Sequence, residues 1–530
     1  MNQARIGLLP LYVKFYDEVL PELAQRVAPF VRHVEASLAQ GGLDVVVAPM
    51  SRTRPDFTTA VRQFESASVD AIVTLHLAYS PSLESAEVLA QCRLPVVMLD
   101  TTPDRDFGGH IDPLRLLENH GIHGVQDLAS VLRRLGKSYQ VVAGHLDDPG
   151  VVQRCVAAVL AAKTGGRAKS TAPAVTATVP PPFDKTAARK LAQHSGAAAP
   201  AAPATAAAGP GGNGSSGRTR CYAPRTPAER AAQAFRAMRV LRIGGVFPGM
   251  GDFAVSDELL RKTFGIAVEN IAPSALAAAV NLLNHQTVAA EVAADRKRFR
   301  VECPEDVHAR SVRVGLGLRE FLQRGEFGAF SLNFLAFKDA AGPVNTVPFL
   351  ECCKAMARGL GYAGEGDALT AALVGALSRG FGATTFTEIF CADWAGHSLF
   401  LSHMGEINPA ASAAQPLLYE KEFPFTPALN PATLACAPKP GRGTLVNLAP
   451  GPGDTFRLIT APVEILADGT HPDLDRWVRG WIRPTLPLPS FLEEFSHLGG
   501  THHSALMCGG HTGALADFSE LLNIEHCNIA

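Results

Sequence analysis

No CxxC pair occurs in this chain. Its ten cysteines are scattered, and the two that adjoin, Cys352 and Cys353, stand too close for a mutual disulfide or a zinc-finger spacing. That excludes a disulfide scaffold and leaves reduced thiols as the simplest reading. Charge is thin as well: charged residues make up 18% and the formal net charge is −2, so nothing calls for nucleic acid or an acidic membrane as partner. No uninterrupted apolar run reaches spanning length, and the opening residues MNQARIGLLPLYVKFYDEVL lack the basic and apolar regions of a signal peptide. The expectation is a cytoplasmic protein without a membrane partner. The glycines Gly244, Gly245, Gly249 and Gly251 fit neither a dinucleotide fingerprint nor a P-loop, so they are read as a loop facing a ligand or another backbone.

What is present is an ordinary globular balance, 47% hydrophobic over 530 residues, too long for one core and sized for two to four domains. Over 1–163 the runs IGLLPL, LDVVVAPM, DAIVTLHL, LPVVMLD and YQVVAGHL alternate with stretches of helical length and spacing, which predicts parallel βα units in a doubly wound sheet. Ligands approach such sheets at the carboxyl ends of strands, where Tyr16 stands after the first run. The tract 164–227 is rich in Ala, Pro, Gly, Ser and Thr, and reads as a linker or inserted loop with a short helix around 185–194. A second α/β region follows over 228–409, where the strand-like FGAFSLNF ends near Asn333, placed to reach a site. Over 410–530 short apolar runs broken by Pro and Gly predict a small antiparallel barrel or sandwich. The expected fold is therefore α/β: two doubly wound, flavodoxin- or Rossmann-like βα domains followed by a small antiparallel β-barrel-like C-terminal domain.

The chemistry concentrates at 361–409, in GYAGEGD, FTEIFCADW and SHMGEINP, and again in GGTHH at 499–503. Glu365 is flanked by two glycines that let backbone approach a ligand, and Asp367 is placed to cap the helix that follows. Glu388 lies in an apolar strand-like run where a charge is costly unless paired or bound to metal. His403 follows the apolar SLFL in the same kind of position. Of His502 and His503, one suits a metal and the other a substrate or structural contact, and the residues alone do not divide those roles. Carboxylates with neutral imidazoles form a ligand set for a divalent cation such as Mn²⁺.

These motifs, in this order, closely resemble the L-arabinose isomerase and L-fucose isomerase-like group of aldose–ketose isomerases. The likeness is strongest to the arabinose isomerase branch, with its GEGDW, FMED, SHMLEV and GGAHH, and extends over most of the chain outside the linker. The resemblance implies a Mn²⁺ site made by Glu365, Glu388, His403 and His503, with both glutamates also active in proton transfer. It implies that His123, in NHGIHGVQD at 119–127, and His502 lie near substrate, with His123 delivered by a neighbouring subunit of a homo-oligomer that shares active sites. The implied reaction interconverts a pentose, hexose or deoxyhexose aldose with its ketose through an enediol(ate). The alternatives are a non-catalytic sugar-binding or regulatory protein of the same fold and a metal-dependent sugar epimerase. Departures fall beside the ligands: Ala368 stands for Trp, Ile389 for Asp, Gly405 for Leu, Ile407 for Val and Asn408 for Cys. On this reading they bear on the substrate more than on the reaction type.

Overall fold

The computed structural model describes residues 3–108, 112–163, 176–178, 226–469 and 474–530. Most of the expected linker, including the short helix around 185–194, lies outside the described residues.

Five Val-, Ile- and Leu-rich runs form the first sheet: β1 (Arg5–Leu11), β2 (Asp44–Val47), β3 (Ala71–His76), β4 (Val96–Asp100) and β5 (Tyr139–Ala143). All pairs are parallel and the order is β2-β1-β3-β4-β5. β3 and β4 are buried along their whole length, as expected for strands covered on both faces. The order reverses between β1 and β3, the place where open parallel sheets receive ligands. Tyr16 and Tyr79 follow those two strands. The second parallel sheet comprises β6 (Arg239–Ile243), β7 (Ala267–Ile271), β8 (Ala329–Leu332) and β9 (Gly361–Gly364), in the order β9-β8-β6-β7.

Six antiparallel strands then close into a barrel: β10 (Thr384–Asp393), β11 (Ser398–Ser402), β12 (Gly441–Pro450), β13 (Phe456–Ile465), β14 (Gly480–Pro484) and β15 (His503–Cys508). Their order is β12-β15-β10-β11-β14-β13, and β13 pairs back to β12. The barrel thus begins at Thr384, ahead of the boundary drawn at 409, and Glu388 and His403 belong to it rather than to the central sheet. The strands of 384–402 are buried along their whole length, like β3 and β4 of the parallel sheet, and only their antiparallel partners reveal where they belong.

Two helices join the layers. α1 (Ile122–Arg134) is buried from Ile122 through Leu132 and packs on both the first sheet and β10. α2 (Ala368–Phe381), apolar on all sides, lies between the second sheet and the barrel, as an all-round apolar helix must. No helix among the described residues is long and apolar enough to cross a membrane.

Candidate metal centre

The chain leaves β9 through a tight turn. Glu365 has φ 64° and Gly366 φ 90°, left-handed conformations that cost a non-glycine residue about 1–3 kcal/mol and persist where surrounding bonds hold them. Here the Glu365 N–H donates to the Leu332 carbonyl at 2.7 Å, and its carbonyl accepts from the Phe247 N–H at 2.8 Å. Gly366 is required on a second count, because a Cβ there would lie 2.3 Å from the Gly245 carbonyl oxygen. The turn aims the Glu365 carboxylate off the end of the second sheet, and Asp367 then caps α2 by accepting from the Thr370 N–H at 2.9 Å.

The barrel supplies the other groups through its register. Glu388 on β10 stands opposite Ser402 on β11 and opposite His503 on β15, so one row of the barrel presents Glu388, His503 and, one residue past β11, His403. One donor atom from each of Glu365, Glu388, His403 and His503 falls within 4.8 Å of the others, and all four residues are buried. Glu388 Oε1 lies 2.9 Å from His503 Nε2 and 3.4 Å from His403 Nε2, while His503 Nε2 is 3.4 Å from Glu365 Oε2. Among the described residues, Glu365 Oε2, His403 Nε2 and His503 Nε2 have no hydrogen-bond partner. Each orphaned buried polar atom costs about 1–3 kcal/mol, and three that converge make the donor set fit a cation.

Behind this cage the far side of each imidazole is clamped. His403 Nδ1 pairs with Glu406 Oε2 at 2.6 Å, and the Tyr362 hydroxyl donates to the other oxygen of Glu406. His503 Nδ1 pairs with Asp367 Oδ2 at 3.0 Å, so the helix cap has a second task. Such carboxylate–imidazole pairs orient ligand rings and present Nε2 to a metal. Phe253 stacks on the His503 ring at 4.7 Å and 5°, fixing its plane.

Electrostatics follow from this packing. Burial would raise Glu388, but the charges of His403 and His123 outweigh it and hold the carboxyl well below the usual range. Burial would lower His403, yet Glu406 and Glu388 lift it well above an ordinary imidazole. For His503, burial and His502 push downward, and the neighbouring carboxylates of Asp367, Glu365 and Glu388 prevail, raising it to about 10. Asp367→Asn keeps the cap and its size but weakens the hold on His503. We expect divalent-metal affinity to fall about 10- to 100-fold in titration calorimetry, with helix content in circular dichroism unchanged.

A small cavity opens beside the cage. It receives Tyr16, Tyr79, His123, Glu365, Glu388 and His502, against apolar walls that include Phe247, Met250 and Phe334. His123, in the first turn of α1, has its Nε2 3.4 Å from Glu388 Oε2 and is supplied by this same chain. Burial, then His120, pushes His123 well below an ordinary imidazole. His502 stays outside the four-ligand cluster, 3.9 Å from a carboxylate oxygen of both Glu365 and Glu388, with Nδ1 held by Asp252 Oδ2 at 2.7 Å. Asn333 does not line the cavity. Its amide donates to the carbonyls of Gly244 and Val246 at 3.4 and 3.3 Å, and so shapes the glycine loop that carries Phe247. Ala368, Ile389 and Gly405 do not line it either: Ile389 is fully buried in the barrel core, and Gly405 faces Phe349 and Thr433. These departures alter packing behind the cage rather than the wall of the cavity.

The sequence reading gave no site role to Glu406 or Asp252, and to Asp367 only that of a cap. Glu406, three positions after His403, and Asp367, two after Glu365, had a short-range signal in their spacing. Asp252 had none, since its partner His502 lies in another layer of the fold.

Residues 251–379 match the model of the L-arabinose isomerase central domain, and residues 383–525 that of the L-arabinose isomerase C-terminal domain. Among curated proteins the chain is similar to L-arabinose isomerase of Shouchella clausii, 34% identical over 40% of this chain and 44% of that protein. It is similar also to L-arabinose isomerase of Klebsiella pneumoniae, 30% identical over 49% of this chain and 54% of that protein. The chain spans about half the length of the curated relatives it matches. Two consecutive domain models that abut at the α2–β10 junction, with the four-ligand cage drawn from both sides of it, place this chain in the L-arabinose isomerase family.

Proposed function

We propose that the chain is a Mn²⁺-dependent aldose–ketose isomerase, with L-arabinose, the sugar in its relatives' names, as the first substrate to try. The observation that carries this reading is the convergence of four buried donor atoms, three of them without hydrogen-bond partners among the described residues, with Glu365 and Glu388 also lining a cavity that offers further polar groups. Glu365, Glu388, His403 and His503 would hold the ion, which when bound supplies Lewis-acid polarisation of a carbonyl. The order of the first sheet supports reading the two parallel sheets as doubly wound units that converge on the same cavity.

The remaining work belongs to the chain's own side chains. Converting an open-chain aldose to its ketose moves one proton from C2 to C1 and another from O2 to O1, by way of an enediol. Glu365 and Glu388 are the bases in reach of those transfers, and a positioned carboxylate contributes about 10²- to 10⁴-fold to such a step. Tyr16 and His123 hold hydroxyls farther along the sugar, and the apolar walls keep water from the enediol.

The test is ketose formation from a panel of pentoses, hexoses and deoxyhexoses by protein loaded with Mn²⁺, followed by NMR in D₂O. We expect ketose from at least one aldose, with solvent deuterium at C1 or C2. A protein that holds one equivalent of metal, binds sugar and yields no ketose would be a binding module, and the proposal would fall.

A further inference from the structure

His502 lines the cavity without belonging to the four-donor cluster, and its ring is held in place. Asp252 grips it twice: Oδ2 accepts from the His502 backbone N–H at 2.8 Å and pairs with ring Nδ1 at 2.7 Å. Asp252 is itself held in place. Its loop is pinned by Asp127 of α1, whose Oδ1 accepts from the N–H groups of Gly251 and Asp252 and from the Ser82 hydroxyl, at 3.0, 2.8 and 2.7 Å. The far nitrogen, Nε2, is buried and has no hydrogen-bond partner among the described residues, and His502 lines the cavity. Near it stands Tyr79, 4% exposed, its ring centroid 6.2 Å from that of His502 and its hydroxyl likewise without a partner among the described residues. An imidazole locked by a carboxylate at one nitrogen and free at the other is an arrangement for moving a proton.

The chemistry names the task. Aldoses exist almost wholly as cyclic hemiacetals, whereas proton transfer between C1 and C2 needs the open chain. The two carboxylates and the cage serve the second step and leave the first without a catalyst. We infer that the His502–Asp252 pair, with the Tyr79 hydroxyl, catalyses opening of the cyclic aldose, a hemiacetal ring-opening activity separate from isomerisation. Nε2, whose lone pair is free because Asp252 holds the proton on Nδ1, takes the anomeric hydroxyl proton as the anomeric oxygen forms C1=O and the bond from C1 to the ring oxygen breaks, its electron pair staying on the ring oxygen. The imidazolium then returns that proton to the ring oxygen, so nothing is consumed. The Tyr79 hydroxyl donates a hydrogen bond to the departing ring oxygen. Asp252 acts as a positioning residue, keeping Nε2 aimed at the sugar.

This rests on the reading of the cavity as an aldose site, and its readout is separate from ketose formation. Ring opening and reclosure interchange the two anomers, so the probe is anomer exchange of L-arabinose by magnetisation-transfer NMR, with protein loaded with diamagnetic Mg²⁺ and again after chelation. Wild-type protein should speed exchange over buffer in both states, and the acyclic polyol L-arabinitol should suppress it. His502→Gln should lower the catalysed rate about a hundredfold and Asp252→Asn about tenfold or more. Wild-type protein that leaves exchange at the buffer rate overturns the inference, as does His502→Gln that exchanges like wild type while only sugar affinity drops. Arabinitol competition needs no variant, so misfolding of either substitution does not blunt the test. Ketose without faster exchange sinks this inference alone. Faster exchange without ketose sinks the isomerase reading alone.

Discussion

Glu388→Gln is expected to lower the proposed ketose formation at least about a hundredfold, and up to about ten-thousandfold, with metal content falling in the same samples. The substitution keeps the side chain's shape and removes its charge and its ability to take a proton. Glu388 is the hub of the cage: its oxygens lie 2.9 Å from His503 Nε2, 3.4 Å from His403 Nε2 and 3.4 Å from His123 Nε2. Three buried imidazoles lose their shared anion at once, so the cost extends beyond catalysis. Removing one partner of a buried ionic group typically costs about 3–5 kcal/mol. Steady-state kinetics with elemental analysis of bound metal checks the first effect, and denaturant unfolding of the metal-free protein checks the second. Full turnover in the variant would remove Glu388 from the reaction.

Gly364→Ala is expected to break metal binding without touching a ligand. A Cβ on Gly364 would lie 2.5 Å from His403 Cε1 and 2.8 Å from its Nε2, closer than van der Waals contact allows. The ring cannot swing aside, because Glu406 holds Nδ1 at 2.6 Å and Phe386 packs edge-on at a centroid distance of 4.7 Å. The backbone at Gly364 tolerates a side chain, so the effect is steric alone. The added methyl should displace His403 Nε2, weaken metal binding about a hundredfold and cost about 1–3 kcal/mol of stability through overpacking. Titration calorimetry and thermal unfolding report both. Metal affinity equal to wild type would mean that His403 is not a ligand.

Much of the cage was legible before any coordinates, and the reason is local. Glu365 sits between glycines at the end of an apolar run, Glu388 is a charge inside such a run, and the GGTHH pair follows a helix. Burying those groups is costly enough that a short window already signals an unusual purpose. Parallel strands were legible for the same reason, since β3 and β4 are continuous apolar runs. The barrel's start was not, because strands β10 and β11 carry no mark of which sheet they join. Asn333 was misread because a strand end near a site looks alike whether its amide faces ligand or, as here, the neighbouring loop.

By itself the sequence determined the residue types, their order and the elements that bear them: one carboxylate inside an apolar strand, and a second carboxylate and two histidines at strand ends and turns, with βα units before them. Tertiary structure alone decided which of the paired histidines joins the cage. His503 points into the barrel row beside Glu388, whereas His502 turns to Asp252, 250 residues away in the chain. Adjacent strand-edge residues face opposite ways, and which way is toward the metal depends on a register set by distant partners. The same long-range pairing brings α1, with His123 and Asp127, onto the barrel and the glycine loop. The opening motifs thus hold the four residues of the buried cluster, and the packing of three layers brings them together beside the cavity.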